Sequence, residues 1–146
     1  MHLVIINGPN LNLLGKREPE IYGHAGFESF LEQLKKGFPD VTFTYVQTNV
    51  EGELINTLQQ YGFEADGIIL NPGGYTHTSV AIGDAIAAIK TKVIEVHISN
   101  VHAREDFRKI SHVSAKAVGV IAGLGLEGYR LAVEWFIDRG SRIENP

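Results

Sequence analysis

Apolar residues cluster in five short runs along the chain, at 3–7, 41–48, 67–71, 93–98 and 117–122. Three are continuous Val/Ile/Leu stretches, the pattern of strands covered on both faces of a parallel sheet. The second, VTFTYVQT, alternates apolar and polar positions and is expected near a sheet edge. Between the runs the period changes to that of a helix. Phe27, Phe30, Leu31 and Leu34 fall on one helical face, as do Leu54, Ile55, Leu58 and Tyr61. Val80, Ile82, Ala85, Ile86 and Ile89 make a more apolar segment, and Leu126, Tyr129, Val133, Phe136 and Ile137 make the last. Residues 100–116 are less regular, with a short helix expected over 103–110.

Strand and helix therefore alternate with short connections. That order predicts a single doubly wound α/β domain over 1–146, a three-layer sandwich around a five-stranded parallel sheet. Right-handed crossovers and five strands point to the flavodoxin-like order 2-1-3-4-5. Of the 146 residues, 44% are hydrophobic and 21% charged, which excludes disorder, collagen and coiled coil. The longest apolar runs fall far short of the ~18–20 residues of a membrane span, so no membrane partner is expected. The opening MHLVIINGPN lacks a basic region and runs into turn chemistry, so no signal peptide is expected. Cysteine is absent, which removes disulfides, zinc–thiolate clusters and a thiol nucleophile and fits a cytoplasmic location. Thirteen Lys and Arg against 17 Asp and Glu give a net charge of −4 with no basic stripe, so no nucleic-acid partner is expected.

In such a sheet, ligands sit beyond the carboxyl ends of the strands, at the switch point between strands 1 and 3. Three of those ends are dense in Asn, His, Ser and Gly: NGPNLN after strand 1, NPGGYTHTS after strand 3 and EVHISN at strand 4. Glu95 and His97 are two apart on a strand and share a face. A carboxylate beside an imidazole fixes its tautomer and favours the imidazolium, the form of a general acid. The plainer reading is a buried histidine satisfied by its neighbour. Asn10 and Asn71 offer amides for a water or a developing oxyanion, or they simply make turns, the better reading for Asn7 and Asn12. His77 stands where a helix should start, either binding a hydroxyl or carboxylate there or lying beside a cap made by Thr76 or Thr78.

Residues 15–23 read as a polar loop able to close over the site, with Arg17 and Tyr22 as its chemically interesting members. Ionising a free tyrosine at pH 7 costs about 4 kcal/mol. A cation about 4 Å away returns about 4 kcal/mol at an effective dielectric of ~20. One or two arginines would thus turn Tyr22 into a base; otherwise Arg17 is an exposed charge and Tyr22 a packing residue. Arg104 and Arg108 share a face if 103–110 is helical, either to receive an anion or as a solvated face with Glu105 and Asp106. Asp84, amid Ile and Ala, is either exposed or placed at a subunit interface.

Gly123-Leu124-Gly125-Leu126-Glu127-Gly128 matches G-x-G-x-x-G. The dinucleotide fingerprint also needs a following strand with an acidic residue ~20 positions on, and none follows. These glycines are expected to make a tight turn with close helix–sheet packing. No GxSxG elbow, P-loop or HExxH occurs in the sequence. Two other classes stay open on the residues alone: a flavodoxin-like module holding FMN or a nucleotide, and a hydrolase using Ser79 or Ser99 with His77 or His97.

Four ordered segments carry a resemblance that spans nearly the whole chain. IINGPNLNLLGKREPEIYG at 5–23, NPGGYTHTSVA at 71–81, EVHISNVHAREDFRKIS at 95–111 and GVIAGLGLEGYRLA at 119–132 resemble the motifs of type II 3-dehydroquinate dehydratases. The departures, His24-Ala25-Gly26 and Lys116, touch no catalytic position of the family. The resemblance implies a flavodoxin-like fold and a homododecamer of four trimers. It implies reversible anti elimination of water from 3-dehydroquinate to 3-dehydroshikimate, in shikimate biosynthesis or quinate breakdown, without metal or organic cofactor. By motif position, Tyr22 would be the base at C2, activated by Arg17. A water held near Asn10 would stabilise an enol(ate), and His97, oriented by Glu95, would protonate the departing C1 hydroxyl. Asn71, His77, Ile98, Ser99 and Arg108 would bind the substrate, and Asp84 would reach the site from a neighbouring subunit.

Overall fold

The computed structural model describes residues 1–16 and 26–142. Five strands, β1 (His2–Asn7), β2 (Thr42–Gln47), β3 (Gly67–Asn71), β4 (Val93–His97) and β5 (Gly119–Ala122), form one sheet in the order β2-β1-β3-β4-β5. Every pairing is parallel. The helices are α1 (Phe27–Gly37), α2 (Glu51–Tyr61), α3 (Val80–Ala88) and α4 (Glu127–Arg142). This is the flavodoxin-like sandwich that the alternating periods predict, and the alternating VTFTYVQT run is indeed an edge strand.

The layers follow from the period of two along each strand. Leu3 and Ile5 of β1 pack with Leu31 of α1 and Val133 and Phe136 of α4 on one face. Val4 and Ile6 pack with Leu54 and Leu58 of α2 and Ile82 of α3 on the other. β1 and β3 are covered on both sides, which is why they read as unbroken apolar runs.

The connection from β4 to β5 departs from expectation. No helix spans 103–110. Two 3-10 turns, Val101–Ala103 and Asp106–Lys109, are separated by extended backbone at Arg104 and Glu105. Phe107 and Ile110 lie exposed, so the segment has no buried face to hold a helix. The glycine motif before α4 behaves as a turn: Gly123 and Gly125 take φ of 90° and 63°. A Cβ on Gly128 would lie 3.2 Å from Val96 Cγ1 and 3.3 Å from Ile121 Cγ2, so its absence lets α4 sit close on the sheet. Among the described residues, no helix is long and apolar enough to cross a membrane.

α4 also ties the switch point together. Asn7 and Asn71 are register partners at the ends of β1 and β3. The fully buried Tyr129 hydroxyl donates to Asn7 Oδ1 at 2.7 Å and accepts from Asn71 Nδ2 at 2.9 Å. Burial pushes Tyr129 ionisation far above the usual tyrosine range, so the hydroxyl stays a neutral donor. Asn7 is thus not a turn-maker: its side chain is buried in this network. Tyr129→Phe leaves Asn7 Oδ1 and Asn71 Nδ2 without the partner they share and is expected to lower stability by about 1–3 kcal/mol. Urea titration should show a lower midpoint at unchanged slope; an unchanged midpoint would mean the network contributes nothing.

Candidate active site

A cleft of ≈ 200 Å³ opens beyond the carboxyl ends of β1, β3 and β4. Asn10, Asn71, His77, His97, Ile98, Ser99 and Arg108 all line it. Residues scattered over about a hundred positions meet there because parallel strands place their ends on one side of the sheet.

Each is held by its local structure. Asn10 follows β1 with φ 72°, the left-handed region that asparagine tolerates best after glycine. Its N–H donates to Asn49 Oδ1 at 3.0 Å, and its side chain is exposed at the cleft. Asn71 is buried, with Oδ1 accepting the Gly73 N–H at 3.1 Å and Nδ2 engaged by Tyr129. His77 ends the 3-10 turn Gly73–His77, and its Nδ1 donates to the Ile110 carbonyl at 2.8 Å. That leaves Nε2 for a ligand. Phe107 stands edge-on to the His77 ring at 5.7 Å, and the Arg108 guanidinium lies 4.8 Å from the Phe107 centroid. Arg108 also donates through Nε to Glu105.

Glu95 lies directly behind the cleft wall. It is 1% exposed and accepts from His97 Nε2 through Oε2. Thr76 Oγ1 donates to the same oxygen at 2.8 Å, and Ser114 Oγ to Oε1 at 2.7 Å. Burial pushes the Glu95 carboxyl up. The hydrogen bond and charge of His97, with the Ser114 and Thr76 hydroxyls, outweigh that and hold it below the usual carboxylate range. Glu95 is therefore an acceptor-only carboxylate. It fixes Nε2 of His97 as a donor and compensates a proton on the ring.

The serine of the NPGGYTHTS loop that caps α3 is Ser79, which accepts from the Ile82 N–H at 3.0 Å. Neither Thr76 nor Thr78 does so, because Thr76 is turned toward Glu95. Ser79 is buried by this duty, and among the described residues neither it nor Ser99 bonds a histidine. Asp84 is exposed on α3 and does not line the cleft within one chain. Arg17 and Tyr22 lie outside the described residues.

Comparison with known proteins decides the family. Residues 1–137 match the model of dehydroquinase class II. The chain belongs to the class II dehydroquinase family. It is 51% identical to the 3-dehydroquinate dehydratase of Fusobacterium nucleatum subsp. nucleatum over 94% of this chain and 97% of that protein. It is also 51% identical to the 3-dehydroquinate dehydratase of an Exiguobacterium species, over 94% and 95% of the two chains. The crystal structure of the type II dehydroquinase from Butyrivibrio crossotus superposes with a TM-score of 0.88 at 44% identity, covering 93% of this chain and 97% of that one.

Other residues reach the cleft of this class II dehydroquinase by routes that the sequence does not display. Arg104 lines the cleft and donates from Nη1 to Ser99 Oγ at 3.3 Å, although i, i+4 spacing counts only in a helix that does not form. Leu11, Leu13, Leu14 and Val101 supply an apolar wall. Ser114 lies in none of the four motif segments, and nothing in the sequence directs Thr76 or Ser111, which end up beside it, toward Glu95.

Proposed function

We propose that this class II dehydroquinase catalyses the reversible anti elimination of water from 3-dehydroquinate, giving 3-dehydroshikimate through an enol(ate). A β-hydroxy ketone needs a base at the carbon beside the carbonyl, a site for the developing oxyanion, and an acid for the leaving hydroxyl. Tyr22, as a tyrosinate beside Arg17, takes the C2 proton. A water held by Asn10 stabilises the enolate oxygen. Collapse of the enolate breaks the C1–O bond, and His97 delivers the proton that turns the hydroxyl into water. Glu95 orients the ring and compensates its charge. Asn71, His77, Ser99, the Ile98 backbone and Arg108 bind the hydroxyls and carboxylate.

The observation that carries this reading is the buried Glu95–His97 pair at the wall of a cleft rich in amides and guanidinium groups. The roles of Tyr22 and Arg17 rest on their place in the IINGPNLNLLGKREPEIYG motif. The curated relatives named 3-dehydroquinate dehydratase support the substrate. Incubation with 3-dehydroquinate or with 3-dehydroshikimate should converge on one equilibrium mixture by proton NMR. Borohydride added with substrate should not inactivate the protein, since no Schiff base forms. Absence of conversion in both directions would overturn the proposal.

A homododecamer, four trimers in which Asp84 reaches a neighbouring cleft, belongs to the same proposal. Asp84 shares the exposed side of α3 with Val80, 57% exposed, and edge strand β5 exposes Val120, 47%. Size-exclusion chromatography should give a particle near twelve times 16.0 kDa. A monomer with full activity would remove Asp84 from the site.

A further inference from the structure

Orienting one histidine takes one carboxylate oxygen, yet Glu95 is gripped at both. The donors form a chain whose direction is set by the backbone. The N–H groups of Val113 and Ser114 both donate to Ser111 Oγ at 3.0 Å. With its lone pairs so engaged, the Ser111 hydroxyl proton points to Thr76 Oγ1, 2.8 Å away. The Thr76 proton is then committed to Glu95 Oε2, and the Ser114 proton to Oε1. The His112 N–H, donating to the Thr76 carbonyl at 2.8 Å, ties the Gly73–His77 turn to the 111–114 segment. A proton on either Glu95 oxygen would face a donor already aimed there.

We infer that Thr76 and Ser114, aligned by Ser111, are positioning residues that keep Glu95 a carboxylate and so dictate that His97 works on substrate through Nδ1. The inference rests on the dehydratase reading of the site and adds to it the residues that hold its acid in order. The strands beside Glu95 present only Leu70 and Val120 in register with it. Among the described residues, His97 is the titratable group that bonds it. The cleft beyond carries His77, Arg104 and Arg108, and His112 lies exposed beside Ser111.

The test uses the whole protein and two readouts. One is the lower acid break in kcat/KM for 3-dehydroquinate, beneath the break set by protonation of the Tyr22 base. The other is the infrared carbonyl band of protonated Glu95, assigned by its loss in Glu95→Gln. Ser114→Ala and Thr76→Val are each expected to move both readouts up by about one pH unit, the effect of losing one hydrogen bond to a charge. Thr76→Ser, which keeps the hydroxyl, should restore the wild-type position. If Thr76→Val does not fold, Ser114→Ala carries the same test alone. A wild-type lower acid break and a wild-type infrared titration in Ser114→Ala would overturn the inference. A wild-type protein that does not turn over 3-dehydroquinate would instead defeat the dehydratase reading, while the infrared titration would still decide how Glu95 is held.

Discussion

Tyr22→Phe is expected to give a normally folded protein whose turnover of 3-dehydroquinate falls by about 10³-fold or more. Phenylalanine has the same ring and no atom that can take a proton, so the change removes the proposed base and little else. Removing a positioned general base costs on the order of 10²–10⁴-fold, and no other described group of the cleft is an obvious substitute. His97 is taken up by the leaving hydroxyl in the proposed mechanism, and a guanidinium offers donors but no acceptor. In the proposed mechanism Arg17 is what makes the tyrosine usable: about 4 kcal/mol separates a free phenol from its anion at pH 7, close to what a cation in contact contributes. Solvent deuterium should then fail to enter C2 of the substrate in the variant. Retention of more than a tenth of wild-type kcat would remove Tyr22 as base and return the role to the residues of the cleft.

His97→Gln is the second large effect, and it separates the two halves of the reaction. The proposed mechanism forms the enolate at Tyr22 and stabilises it at Asn10, and the substitution replaces neither residue. Expulsion of the C1 hydroxyl lacks its acid, so elimination should slow by about 10²–10⁴-fold. Exchange of the C2 proton with solvent deuterium should continue, because it needs only the base and the oxyanion site. NMR of recovered substrate reads that exchange directly. Elimination and exchange falling together to the level of Tyr22→Phe would contradict the assignment of His97 to the leaving group alone. Unimpaired elimination would remove it from the mechanism.

The parts of this site legible in the sequence are those set by strand periodicity and strand ends. Glu95 and His97 can be paired from their spacing because a strand repeats every two residues, and the structure places them on one face with a hydrogen bond between them. The cleft can be located before any coordinates because a parallel sheet gathers its carboxyl ends. What could not be read depends on tertiary placement. Thr76 and Ser114 each lie 19 residues from Glu95, in opposite directions, and reach it only because a 3-10 turn and the 111–114 segment close together over the end of β4. Tyr129 looks like one more apolar-face residue of α4; its hydroxyl matters because β1 and β3 end in asparagines at the same level. Residues 103–110 have helical composition but no buried face, so the i, i+4 argument for Arg104 fails while Arg104 still arrives at the cleft by another route.

The measurement that bears most directly on the central claim is the ultraviolet absorbance of the conjugated enone after 3-dehydroquinate is added to purified protein, with Tyr22→Phe beside it. The account predicts a rise with wild type and none with the variant. A rise of equal rate in both would contradict the tyrosinate mechanism, and no rise with correctly folded wild type would contradict the dehydratase function itself.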